Sequence, residues 1–321
     1  MIVLFIGGTG NISRSVSKLA LEHGIDLYLL HRGEASIEGA KTIKADIHQL
    51  ATLSGQAFDV VVNWIAYVEE DIERDLALFR ERCGQYIFIS SASVYQKPLS
   101  HPVITESTPA VNPYWEYSQH KIRCEDRLMR AYRDEAFPVT IVRPSHTYAT
   151  RFPIAVGNWA SYVIAQRMIE GKPIIVHGDG TALWTVTHAE DFAKGFVGLI
   201  GNPQTIGHTF HITSDFVLTW NQIYEQIGDA LGVKPHMVHI PSTFIVSVDA
   251  RTGAGLVGDK MWSAVFDNSK IKRFVPGYVA TIPFYEGIQR TAAWFQAEKS
   301  RMRVEVEDHA VFERILKAYG H

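Results

Sequence analysis

A doubly wound parallel α/β sheet with a smaller carboxyl-side unit is the fold class that this 321-residue chain predicts, on three observations. Short apolar runs alternate with segments of helical period, the first run ends in a glycine turn, and chemically active side chains gather just after the runs. Apolar strands connected through helices lie parallel and are covered on both faces. Ligands of such sheets sit beyond the strands' carboxyl ends.

The elements follow in order. Ile2 to Ile6 is the first apolar run and stops at Gly7. From Asn11 to Gly24 the period becomes about 3.6, with Ile12, Val16, Leu19 and Ala20 on one stripe and Gly24 placed to end the helix. Asp26 to Leu30 supplies the second strand, Thr42 to Asp46 the third and Phe58 to Asn63 the fourth. A helical segment from Glu69 to Cys83 leads into the strand Gln85 to Ser90, and another long helix precedes Thr140 to Arg143. Pro98, Pro102, Pro109 and Pro113 mark residues 96–113 as an ordered loop along one side of the site.

Beyond Arg143 the alternation is less regular. Helices are expected at Gly157 to Glu170, His188 to Leu199, Thr219 to Leu231 and Tyr285 to Gln296, with strands near Ile174 to Val176 and His208 to Ile212. The stretch Met302 to Leu316 adds a terminal packing element. At about 150 residues per domain the length suggests two units. They are read as 1–150 for a dinucleotide and 151–321 mainly for substrate, with segments able to return to the first.

Composition narrows the function classes. Hydrophobic residues make up 46% of the chain and the formal charge is -3, with no block of like charge. Nothing supplies the positive field that sequence-independent nucleic-acid binding needs. Cys83 and Cys124 form no CxxC pair, so reduced thiols and a cytoplasmic setting are expected. No apolar stretch reaches a bilayer-spanning length, and the glycine-interrupted opening does not read as a signal peptide. His208 and His211, like His236 and His239, are three apart in strand-like sequence and point to opposite faces, so no metal is predicted.

The turn Gly7 to Ser13, GGTGNIS, lies between strand and helix. Gly7 permits the tight turn, Gly10 permits close approach of a pyrophosphate, and the amides of Asn11 and Ile12 begin a helix whose amino end favours an anion. Ser13 stands where a third glycine is usual. After the second strand come His31 and Arg32 rather than a carboxylate. Arg32 can grip a 2'-phosphate through a two-donor fork, which tilts the cofactor toward NADP over NAD unless Glu34 pairs with it. Asp46 can hold the adenine amino group or cap the next helix. Asn63 to Ala66 follow the fourth strand beside the expected ribose, where Trp64 fits plain core equally well.

Tyr117 and Lys121 are four residues apart and share one helical face. A lysine charge favours a phenolate, so the pair can serve in acid-base chemistry. Ser91, after its strand, can orient a reacting oxygen, with Ser90 and Ser93 as competitors. Tyr114 is the rival phenol, but its residue four places on is Ser118.

Together, GGTGNIS at 7–13, SSASVY at 90–95, Tyr117 with Lys121, RPSHTY at 143–148, the stretch Gly178 to Gly195 and DNSKIKRFVPGY at 267–278 resemble the extended short-chain dehydrogenase/reductase family, in its NAD-dependent epimerase/dehydratase group. The resemblance covers nearly the whole chain. It implies a Rossmann-like domain, a carboxyl-side substrate domain, a homodimer built through helices including the Tyr117 helix, and Ser91, Tyr117 and Lys121 as the catalytic triad. It also implies departures. Many sugar-nucleotide members carry Asn where this chain has His146, and Arg where it has Trp184. An indole offers one donor against five, so diphosphate recognition is lost at that position, and Trp184 becomes a stacking wall or core. Arg151 or Arg251 can compensate from elsewhere, or each can be an ordinary exposed residue. Ala92 and Ser93 replace the acidic pair of the dehydratases.

The function expected is therefore NAD(P)-dependent hydride transfer to or from a secondary alcohol or ketone, sugar-derived substrates included. Substrate contacts are expected from Ser91, Ser93, His146 and Trp184. A nucleotide-sugar epimerase with retained NAD is the alternative, and a non-catalytic dinucleotide-binding or RNA-associated protein a further one.

Overall fold

The computed structural model describes residues 1–46 and 56–321. Strands β1 (Ile2–Ile6), β2 (Asp26–His31), β3 (Lys41–Lys44), β4 (Phe58–Asn63) and β5 (Cys83–Ile89) join Val139–Pro144 and Thr209–Ile212 in one seven-stranded sheet. Its order is β3, β2, β1, β4, β5, Val139–Pro144, Thr209–Ile212, and every pairing is parallel. The chain winds outward from β1 through β2 to β3, then returns to β4 on the other side of β1. That reversal opens a crevice at the carboxyl ends of β1 and β4.

Alternation along β1 explains why both faces are covered. Val3 and Phe5 pack with Val16 and Ala20 of helix α1 (Ser13–Glu22) and with Phe192 and Phe196 of the helix Ala189–Val197. Leu4 and Ile6 face the opposite layer, against Ile72 and Leu76 of α2 (Glu69–Phe79) and Cys124 and Leu128 of α3 (Glu116–Glu135). Each residue in β1 from Val3 to Ile6 is fully buried, which fits a doubly covered strand of continuous apolar character.

The carboxyl half has its own core, built around Trp184, Trp220, Phe152 and Phe295. Phe152 and Phe295 stack at 5.2 Å between ring centroids. Here Ile174–His177 pairs in parallel with Met237–Ile240, flanked by the helices Trp220–Leu231, Phe284–Gln296 and Val306–Tyr319. The halves interleave. Thr209–Ile212 returns to the main sheet beside Val139–Pro144, and Ala189–Val197 packs on α1.

Two expected elements are shorter than their patterns. The helix at 157–170 is confined to Val163–Ile169, because residues 151–162 run as irregular chain over the crevice. The segment after Glu69 turns from helix to strand at Cys83, with Glu81 in the left-handed region at φ 61°. The two cysteines are free, and burial pushes each thiol up to about 12. Among the described residues no helix is long and apolar enough to cross a membrane, and no group of His, Cys, Asp or Glu is arranged to hold a metal ion.

Candidate active site

A cleft of about 980 Å³ follows the switch point, from Arg32 and Asp46 at one end to Tyr117, His146 and Lys260 at the other. Its floor is the turn after β1. Gly7 and Gly8 have φ of +99° and +101°, and a Cβ on Gly8 would stand 2.7 Å from Leu29 Cδ2. Gly8, which spacing did not single out, is thus at least as constrained as Gly7, whereas Gly10 takes no positive φ and a Cβ there would meet only Ser13 Oγ at 3.4 Å. Ser17 Oγ donates to the Gly8 carbonyl at 2.9 Å.

Ser13 is 4% exposed and its Oγ accepts the Gly10 amide at 2.9 Å. The residue replacing the usual third glycine therefore engages one amide of the turn. Asn11 spends its side chain on structure. Its Nδ2 donates to the Thr147 carbonyl at 3.0 Å and its Oδ1 accepts from the Thr150 amide at 3.2 Å. This clasp fixes the glycine turn to the chain leading into residue 151. Ile12 lines the cleft and packs on the α1 core.

At the far end of β2, Arg32 pairs with Asp46 at 3.4 Å, with the arginine side chain 79% exposed. Glu34 pairs with Lys44 instead, so the Glu34–Arg32 pairing weighed from sequence does not form. Asp46 lines the cleft; its capping of a following helix concerns residues 47–55, which lie outside the described residues. His31 also lines the cleft, and among the described residues neither of its buried ring nitrogens has a hydrogen-bond partner.

Asn63 is completely buried and does not line the cleft. Its Oδ1 accepts the amides of Ile65 and Ala66, each at 2.9 Å, and its Nδ2 donates to Asp75. It shapes the turn from beneath. Ala66 is 1% exposed and contributes its carbonyl to Lys121. Trp64 does line the cleft, wedged between Phe5 and Phe196.

The cleft brings Ser91, Tyr117 and Lys121 together. Lys121 Nζ donates to the carbonyls of Ala66 at 2.7 Å and Ile89 at 2.8 Å, and lies 5.9 Å from the Tyr117 ring centroid. Burial pushes the lysine down to about 8. Burial likewise raises the Tyr117 phenol above the ordinary tyrosine value, Tyr67 adds to the rise and the Ser91 hydroxyl opposes it. Tyr117 packs between Trp115 at 4.9 Å and Tyr67 at 6.2 Å. Tyr114, the rival, is exposed.

Sequence spacing did not mark Ser118, which is fully buried and donates to Ser93 Oγ at 2.8 Å; Ser93 Oγ lies 2.9 Å from Ser91 Oγ. Ser93 is thus tied into a hydroxyl chain behind Ser91. His146 lines the cleft within an indole cage, 5.4 Å from Trp159, 6.1 Å from Trp220 and 6.5 Å from Trp184. Burial, with Lys260 nearby, holds its imidazole well below the ordinary histidine value, so it is neutral. Trp184 itself is 1% exposed and does not line the cleft. It stands behind His146 as core, because β-pairing with Leu218 turns its indole onto Trp220.

The chain is similar to several known proteins. Residues 3–213 match the model of the NAD dependent epimerase/dehydratase family. The chain is 23% identical over 291 residues to the 2'-dehydrokanamycin reductase of Streptomyces kanamyceticus, covering 86% of this chain and 79% of the reductase. It is 26% identical over 260 residues to the chloroplast stem-loop binding protein of 41 kDa b of Arabidopsis thaliana, covering 74% of this chain and 65% of that protein. Its fold matches the UDP-glucuronic acid 4-epimerase of Bacillus cereus, solved in complex with NAD, at a TM-score of 0.74 and 18% identity over 93% of this chain and 98% of that one.

Proposed function

The chain belongs to the NAD-dependent epimerase/dehydratase family, and from that premise we propose that it is an NAD(P)-dependent oxidoreductase acting on a secondary alcohol or its ketone, with sugar-derived substrates in view. One observation carries this reading: a single cleft holds the glycine turn at one end and Ser91, Tyr117 and Lys121 at the other. The residues fit a dinucleotide. The cleft spans the switch point, Gly7 and Gly8 hold its turn at positive φ, and among the described residues neither ring nitrogen of His31 has a partner at its adenosine end.

In this reading residues 1–150 hold the dinucleotide and 151–321 mainly the substrate, with a homodimer formed through helices including α3 in the cytoplasm. Gly7, Gly8, Gly10, Asn11 and Ile12 face the phosphates, and Arg32 with Asp46 the adenosine, with NADP favoured slightly. Nicotinamide, when bound, supplies or takes the hydride.

The protein's own groups handle the proton. Below its raised value Tyr117 is a phenol, and so donates its proton to a carbonyl oxygen during reduction; in the reverse direction its phenolate takes the alcohol proton. Ser118 donates to Ser93, and Ser93 in turn can donate to Ser91. This leaves the Ser91 hydrogen for the substrate oxygen. Lys121, charged below about 8, lends positive potential to the phenol without pairing with it directly. Its third N–H remains for a ribose hydroxyl.

The test is to identify the dinucleotide that native protein retains, then to screen ketones, secondary alcohols and sugar nucleotides with product analysis. Net oxidation or formation of NAD(P)H with conversion of a ketone or alcohol is the expected result. Inversion of a sugar nucleotide without net redox change would replace the reading by epimerisation. Binding without any turnover would leave a dinucleotide-binding protein.

A further inference from the structure

Four cations line the cleft, and three are engaged. Arg32 pairs with Asp46, Lys121 donates to two carbonyls, and Lys260 lies 3.7 Å from Asp259 and over the Trp115 ring. Asp259 is in turn 3.8 Å from the buried Lys97. Arg151 is different. Among the described residues it has neither an ion-pair partner nor a hydrogen bond for its guanidinium, which lies 5.0 Å from the centre of the Trp159 ring.

Its position is built. The preceding Thr150 amide is clasped by Asn11, and the following Phe152 is fully buried and stacked on Phe295. These two anchors fix the backbone on either side of Arg151, and its guanidinium lies over the Trp159 ring. Trp159 stands against His146, on the substrate side of the cleft. A guanidinium over an indole face spends none of its N–H donors on the ring, and a carboxylate or phosphate accepts two of them. Partial burial also disfavours its charge, and lowers it from the ordinary arginine value. Such a desolvated cation is costly unless an anion completes it.

Resting on the oxidoreductase reading, we propose that Arg151, lying over Trp159, recognises one anionic group, a carboxylate or phosphate monoester, carried by the substrate itself. The substrate class is thus a sugar acid or sugar phosphate rather than a nucleoside-diphosphate sugar. A diphosphate needs several uncommitted donors, and the other lining cations are already engaged. Neutral His146 and the indoles offer the sugar ring an apolar wall.

The experiment titrates NADPH-loaded and NADH-loaded protein with glucuronate, glucose 6-phosphate, glucose and UDP, reading tryptophan fluorescence, which Trp159 reports directly. Wild type is expected to bind glucuronate or glucose 6-phosphate more tightly than glucose or UDP, and whichever anion wins identifies the group. Arg151→Ala should weaken that anion about tenfold or more and leave glucose unchanged. Arg151→Lys, which keeps charge but lacks the fork, should recover only part of the loss. Equal binding of all four ligands, or no effect of Arg151→Ala, overturns the proposal. So does a loss of NADPH affinity in Arg151→Ala without sugar present, since the arginine would then serve the cofactor. If wild type binds neither dinucleotide, the oxidoreductase reading falls first and this inference with it; if dinucleotide binds and no anion is selected, the inference alone fails.

Discussion

The two ends of the cleft are built differently. At the glycine end, one short stretch makes most of the surface: β1 stops, Gly7 and Gly8 take positive φ, and α1 begins at Ser13. At the other end, the wall is assembled from segments far apart in the chain, with Trp115 from the start of α3, His146 to Trp159 from the crossing chain, and Asp259 with Lys260 from a π-helical turn. The first end can be read locally. The second exists only after the carboxyl half has packed, and its two arginine-bearing poles illustrate the contrast. Arg32 is exposed and paired, whereas Arg151 is part-buried and lies over an indole ring.

That contrast predicts separable effects. Apart from the Tyr117 phenol itself, the largest should come from the lysine on its helix. Lys121 is held well below the ordinary lysine value of 10.5, at about 8, by burial. Reductive kcat/KM should fall roughly tenfold per pH unit above about pH 8 as its charge is lost. Stability has the opposite sign. Between about 8 and 10.5 the folded protein binds fewer protons than the unfolded chain, so wild type should gain stability with rising pH relative to Lys121→Met, by up to about 3 kcal/mol. Urea unfolding of both proteins at pH 7.5 and 10.5 checks this. A parallel response of wild type and variant would mean that the lysine is not desolvated in solution.

A smaller effect is expected at the cofactor pole. Because Arg32 is mostly exposed and shares its charge with Asp46, Arg32→Ala should weaken NADPH binding by roughly threefold to tenfold and leave NADH unchanged. Calorimetric titration with both dinucleotides distinguishes this from an equal loss, which would remove the 2'-phosphate role. Set against the Arg151 titration, it asks whether each pole controls only its own ligand.

Much of the fold was legible in the sequence because it is written in local period and punctuation. β4 occupies the expected residues, and α1 lies within the expected stretch from Asn11 to Gly24. Return of Thr209–Ile212 to the main sheet was left open, since strand partners distant in sequence leave no local mark. The same limit governs the site. Ser91, Tyr117 and Lys121 were found because helical spacing and strand ends are local rules, but Ser118 was passed over because its partner Ser93 lies across the fold. Trp184 was read as wall or core, and only its packing on Trp220 decides for core. Trp159 carried no spacing signal at all. Gly8 was visible but indistinct, since its constraint comes from Leu29 on a neighbouring strand.

The central claim is that the Tyr117 phenol carries the proton in the cleft, and Tyr117→Phe tests it most directly. Phenylalanine keeps the ring contacts with Trp115 and Tyr67, so the fold and the dinucleotide Kd should be retained. On the substrate identified by the screen, kcat should drop by about 10² to 10⁴-fold. Undiminished turnover in a variant that still binds dinucleotide would contradict the account.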